Sequence, residues 1–132
     1  MHHCVSFGNT RGLGTGSSPD PIKFHNCTGF DNQHYDFHAS DAADKPHEFR
    51  NCLSYGNRTS FQSGAADSSY NSWDLDISDP QFLSTNPDDD MFLHLSDDSP
   101  AINSGKDFGY EFGGSSPDLG GYDYMLDTQQ LL

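Results

Sequence analysis

Cys4-Val5-Ser6-Phe7-Gly8-Asn9, Cys27-Thr28-Gly29-Phe30-Asp31-Asn32 and Cys52-Leu53-Ser54-Tyr55-Gly56-Asn57 are three copies of one pattern, Cys-x-x-aromatic-x-Asn, spaced 23 and 25 residues apart. Other positions keep step. Leu13, Phe37 and Phe61 follow their cysteines by 9, 10 and 9 residues. Phe24 and Phe49 each precede the next cysteine by three residues, and Asn26 and Asn51 by one, with His3 in that place in the first copy. A repeat of this length marks a stack of similar units, none of which buries its apolar side alone.

The units are short strands. Apolar residues come in brief alternating runs such as Ile22-x-Phe24 and Tyr35-x-Phe37, punctuated by Gly, Ser, Asn and Asp. No stretch carries the i, i+3, i+4, i+7 spacing of an amphipathic helix. About 23 residues with three short strands suits one coil of an all-β parallel β-helix, each strand pairing with its counterpart roughly 4.8 Å away. A leucine-rich repeat has a similar period but needs a Leu-x-x-Leu-x-Leu pattern, which this chain lacks. Stacking places Asn9, Asn32 and Asn57 in one column, expected as an amide ladder. It places Cys4, Cys27 and Cys52 in another, expected as buried free thiols; their parallel side chains disfavour a disulfide and their spacing is not that of a zinc site.

The 132 residues suffice for one domain or part of one. Residues 1–63 are expected to hold the coils. Residues 64–124 are expected as the last coil and a C-terminal closing segment, with the Asn71-Ser72-Trp73 ring anchored on the last coil. Residues 125–132 read as a weakly helical tail. Six basic against twenty acidic residues give a net charge of −14, which repels nucleic acid and anionic membranes. No run of 18 apolar residues offers a membrane span. The first strand is expected at residue 3 or 4, with no signal peptide and no capping element before it. The chain is therefore read as the C-terminal part of a longer protein whose N-terminal coils are missing, or as one whose open end a partner covers.

The order of motifs carries a resemblance. Asn51-Cys52-Leu53-Ser54-Tyr55-Gly56-Asn57, Asn71-Ser72-Trp73, Asp79-Pro80-Gln81-Phe82, Leu93-His94-Leu95, Ser99-Pro100-Ala101-Ile102-Asn103-Ser104-Gly105 and Ser116-Pro117-Asp118-Leu119-Gly120-Gly121-Tyr122 together resemble the C-terminal half of family 9 polysaccharide lyases, over residues 3 to 124. The resemblance implies a right-handed parallel β-helix from a secreted enzyme acting on pectin, polygalacturonate or a related acidic polysaccharide. It implies β-elimination, in which Ca2+ held by aspartates acidifies the C5 proton of the uronate and a lysine removes it. The Gly-Phe-Lys-Leu segment that bears the family's base is absent here, and no residue is assigned as catalytic or as a calcium ligand. Lys23 reads as an exposed residue on another face of the coil. Ca2+ is expected in the parent enzyme only.

Period-two alternation directs Leu13, Phe37 and Phe61 inward, Gly14, His38 and Gln62 outward in one column, and Gly12, Asp36 and Ser60 outward in another. Arg11, His38 and Gln62 are the candidate substrate-binding residues, with Arg11 suited to a uronate carboxylate. Asp88-Asp89-Asp90 and Asp97-Asp98 lack the spacing of a calcium loop and read as solvated turns. Asn26-Cys27-Thr28 and Asn57-Arg58-Thr59 match the glycosylation pattern at positions expected to be buried. Two other readings stay open: a noncatalytic polysaccharide-binding module and an adhesin-like structural solenoid.

Overall fold

The computed structural model describes residues 1–41 and 43–126. Nine strands follow one another in three rounds: β1 (Val5–Phe7), β2 (Leu13–Gly14), β3 (Lys23–His25), β4 (Thr28–Phe30), β5 (Phe37–Ala39), β6 (His47–Arg50), β7 (Leu53–Ser54), β8 (Thr59–Phe61) and β9 (Ala66–Ser69). They form three parallel sheets, β1-β4-β7, β2-β5-β8 and β3-β6-β9, so each round adds one strand to each sheet. This is the three-coil parallel β-helix that the repeat predicts.

Each coil turns from the third sheet back to the first through one residue in the left-handed region: His3, Asn26, Asn51 and Tyr70, with φ of 52°, 53°, 56° and 61°. Asparagine tolerates this conformation better than other residues with a side chain. Its recurrence keeps successive coils in register, pairing Phe24 with Phe49 in the β3–β6 ladder. Their rings stack 4.8 Å apart at 5°, the spacing of the strands themselves. Phe24, Cys27, Phe37, Ala39, Phe49, Cys52 and Ala65 form the buried interior. Trp73 closes its C-terminal end, its ring lying 5.1, 6.2 and 5.7 Å from those of Phe37, Phe49 and Phe61.

The edge of the third coil is closed by side chains. Asn71 Oδ1 accepts from the Cys52 amide at 2.8 Å, and Ser72 Oγ accepts from the Ser54 amide at 3.0 Å. Asn71 also donates to the Phe49 carbonyl. These contacts replace the ladder of a further strand and protect the edge.

The closing segment then runs back along the outer face of β1-β4-β7 instead of across the end. Leu53 points outward from β7 into a second buried cluster with Leu95, Ala101 and Leu119. Asn26 donates to the Asp118 carbonyl, and Asn51 exchanges hydrogen bonds with the backbone of Lys106. Gly105 passes so close that a Cβ there would lie 2.6 Å from Asn51 Oδ1. Asp118 accepts from the amides of Asn103 and Tyr124. Of the tail expected at 125–132, residues 124–126 are helical and 127–132 lie outside the described residues.

Three local expectations are corrected. Phe37 pairs with Thr59, and Phe61 pairs with Ala39, two residues out of the expected step. The corner from Phe30 to Phe37 spans seven residues and that from Tyr55 to Thr59 only four, which shifts β8 while leaving Phe61 on the interior. The asparagine ladder does not form. Asn32 bonds the Asn9 amide and the Ser6 carbonyl, while the buried Asn57 Oδ1 has no hydrogen-bond partner among the described residues. Asp36, expected outward, is fully buried.

The three cysteines are free and stacked. Burial pushes the Cys52 thiol well above its ordinary range, while the hydrogen bond with Cys52 lowers that of Cys27. Fewer than three thiols should therefore react with a maleimide in the folded protein and all three after unfolding, as read by mass spectrometry. The stacked rings carry the interior, so Phe49→Ala should lower stability by about 3–5 kcal/mol, read as a lower urea midpoint.

Candidate functional site

The outer face of β2-β5-β8 carries an open cleft of about 480 Å3 lined by Arg11, Gly16, His34, Tyr35, His38 and Ser60. Short strands place the lining. His38 points outward from β5 between two neutral neighbours in register, Gly14 on one side and Ser60 on the other. Its ring lies over Gly14, where a Cβ would sit 3.4 Å from that of His38. Tyr35 stacks on the His38 ring, with centroids 5.1 Å apart and planes at 26°. Arg11 is exposed at the rim and takes part in none of the ion pairs among the described residues.

The floor is held by a buried carboxylate. Asp36 accepts from the Asn32 side-chain amide at 2.8 Å and from Ser54 Oγ at 2.7 Å. Gly29 makes room for it, since a Cβ there would lie 2.5 Å from that of Asp36. This inward turn of Asp36 puts Tyr35 outside, on His38, instead of beside Phe37.

Arg11 and His38 thus meet in one cleft, and Gln62 does not. Ser60 occupies the place expected for Gln62, because of the two-residue shift in β8. The Gln62 amide oxygen accepts from the Asp41 amide at 2.7 Å and fastens the loop after β5. Sequence reasoning missed His34, Tyr35 and Ser60 as lining. The Tyr35-to-His38 spacing is the signal that an aromatic platform leaves, but it reads as strand alternation until the bend at Asp36 is known.

The lining contains one guanidinium, two imidazoles, a phenol and a hydroxyl, and no carboxylate. Such a set donates hydrogen bonds and holds positive charge, the chemistry for an anionic, hydroxyl-rich ligand. None of the chain's lysines lines it: Lys23 stands on β3 opposite Glu48, and Lys106 lies over the rings of Tyr70 and Phe108. Among the described residues no group of three or more His, Cys, Asp or Glu is placed to hold a metal ion, so the calcium implied by the resemblance finds no fitting ligand set here. Asp89 accepts from the Met91 amide in an exposed turn, which lowers its pKa.

These features define a parallel β-helix with a carboxylate-free groove on one sheet. Comparison with solved structures finds the same architecture in the crystal structure titled "Crystal structure of pectate lyase Pel9A", at 24% identity and a TM-score of 0.78, covering 92% of this chain and 34% of that one. The chain has a pectate-lyase-like right-handed β-helical fold and spans about a third of the length of that structure. No protein-family profile and no curated protein matches it.

The Asp36 carboxylate supports both Asn32 and Ser54, and its removal leaves buried donors unpaired. Asp36→Ala should cost on the order of 2–4 kcal/mol and lower the melting temperature, read by circular dichroism.

Proposed function

We propose that this chain forms the C-terminal coils of a secreted polysaccharide lyase that cleaves pectate, or a related acidic polysaccharide, by Ca2+-dependent β-elimination. Its own part is to hold the uronate chain in the β2-β5-β8 cleft. The observation that carries this reading is the cleft itself: a groove without a carboxylate, in a chain of net charge −14, on a coil architecture similar to that of a pectate lyase. The base and the calcium ligands are assigned to coils outside this chain, since no lysine and no ligand cluster stands at the cleft.

In this reading Arg11 pairs a uronate carboxylate, His34 and His38 donate to carboxylate or hydroxyl oxygens, and the Tyr35–His38 stack fixes the imidazole plane. The outer side of β1 and β2 supports the proposed upstream coils. In the described sheets β1 and β2 each pair on one side only, while β3 already meets Met1–His3 on its outer side through the parallel His2–His25 bridge, so a preceding coil would continue the β1 and β2 ladders. A noncatalytic polysaccharide-binding module uses the same cleft, and the absence of a lysine from its lining favours that second reading for the chain taken alone.

Titration with tetragalacturonate, followed by calorimetry, tests the assignment. Arg11→Ala should weaken binding roughly tenfold or more, the loss of one charge-assisted contact, and His38→Ala should weaken it several-fold. Gln62→Ala should leave it unchanged. Incubation of the chain with polygalacturonate and Ca2+ should give no ultraviolet absorbance from unsaturated product, and a parent carrying the upstream coils should give it. Binding indifferent to Arg11 and His38 overturns the site; product from this chain alone overturns the assignment of the base.

A further inference from the structure

A second cleft lies on another flank of the solenoid. Phe7, Phe30 and Tyr55 point outward in register from β1, β4 and the end of β7. The closing segment packs on the first two: Phe92 lies edge-on to Phe7 at 4.7 Å and to Phe30 at 6.2 Å, and Phe82 lies edge-on to Phe30 at 5.8 Å. Tyr55 touches no ring but Phe30 among the described residues, at 5.9 Å and 83°, and is 45% exposed. The gap beside it holds about 330 Å3 and is lined by Phe30, Asp31, Tyr55, Arg58 and Thr85.

The two charged groups of this cleft are not paired with each other. Arg58 is tied by hydrogen bonds from its guanidinium to the carbonyls of Asn32 and Gln33, so its plane is set before any ligand arrives. Asp31 is exposed on a left-handed residue with φ of 54°. The two line one cleft, yet they form no ion pair with each other or with any other described residue. Opposite charges left apart across a small aromatic gap suit a ligand that both donates and accepts hydrogen bonds and carries no net charge.

We propose that this cleft is a saccharide-binding site for a neutral sugar unit, separate from the cleft on β2-β5-β8. A pyranose presents a face of C–H groups that packs on an aromatic ring by dispersion. Its vicinal hydroxyls donate to the Asp31 carboxylate and accept from the Arg58 guanidinium, with the Thr85 hydroxyl at the rim. A uronate fits poorly because its carboxylate would share the gap with Asp31. The charge contrast between the clefts, one free of carboxylates and one balanced, assigns acidic and neutral units to different faces of one solenoid. The inference rests on this cleft's own chemistry, and its failure leaves the proposed lyase reading standing.

The test titrates the chain, by ligand-observed saturation-transfer NMR and calorimetry, with tetramers of β-1,4-galactose, β-1,4-glucose and α-1,5-arabinose, and with tetragalacturonate. At least one neutral tetramer should bind with a Kd on the order of 1 mM or tighter. Tyr55→Ala should weaken that binding at least tenfold and Asp31→Asn several-fold, with the circular dichroism spectrum of each variant intact. Tetragalacturonate binding should survive both changes and weaken roughly tenfold or more in Arg11→Ala. Failure of all three neutral tetramers to bind overturns the proposal. So does neutral binding that is unmoved by both variants, or tetragalacturonate binding that falls with Tyr55→Ala.

Discussion

The left-handed residue between the third sheet and the first is the constraint on which this molecule depends. It recurs at His3, Asn26, Asn51 and Tyr70 with φ between 52° and 61°. One such residue per coil bends the chain by the same amount each time, so the strands on either side stack with constant register. The interior then needs no further specification: Phe24 falls on Phe49, and Cys27 falls between Cys4 and Cys52. A residue with a bulky branched side chain at this corner would cost the coil its turn. Asparagine also offers an amide, and Asn26 and Asn51 spend theirs on the backbone of the closing segment at Asp118 and Lys106. The residues that set the coil therefore also fasten the segment that covers its flank.

That coupling explains how so little apolar residue content, 33% of the chain, sustains a fold. Two interiors share one wall. Cys52 faces the stacked phenylalanines, and its neighbour Leu53 faces Leu95, Ala101 and Leu119 on the other side. A two-residue strand is thus buried on both faces, which an isolated solenoid wall of that length would not be. The edge is finished by Asn71 and Ser72, whose side chains supply the acceptors that a fourth coil would supply from its backbone. The resemblance motif Asn71-Ser72-Trp73 therefore reads in physical terms as two edge caps followed by a plug.

The sequence made the architecture legible because each coil repeats its inward residues at nearly constant spacing. Phe24, Phe49 and the three cysteines could be placed from period alone. What failed was alternation carried across corners. Strands of two to four residues hold the period-two rule only inside themselves, so Asp36 and Tyr35, one and two residues before β5, take the opposite sides from those counted outward from Phe37. The shortened third corner displaced Gln62 from the candidate site and put Ser60 there. The Asn9, Asn32 and Asn57 column failed for the same reason: Asn57 sits in that shortened corner, itself left-handed with φ of 53°, while Asn26 and Asn51 take the turns from the third sheet to the first. Arg11 and His38 lie in one cleft because the first two corners differ by only one residue.

Net charge is a poor guide to what such a solenoid can bind. Exposed charges are screened beyond about 10 Å at ordinary ionic strength, so a ligand responds to the face it meets. Twelve of the twenty acidic residues lie between Asp74 and Asp123, and the closing segment that carries most of them covers the β1-β4-β7 flank. The β2-β5-β8 cleft is lined by residues of the coils, and Asp36, beside the lining residue Tyr35, is turned inward and consumed by Asn32 and Ser54. What remains outward is Arg11, His34, His38 and hydroxyls. Inverting Asp36 to the solvent side would place a negative charge beside His38 and close the cleft to anions. The same inward turn, for which Gly29 makes room, thus leaves the lining of the groove free of carboxylates on a strongly acidic chain.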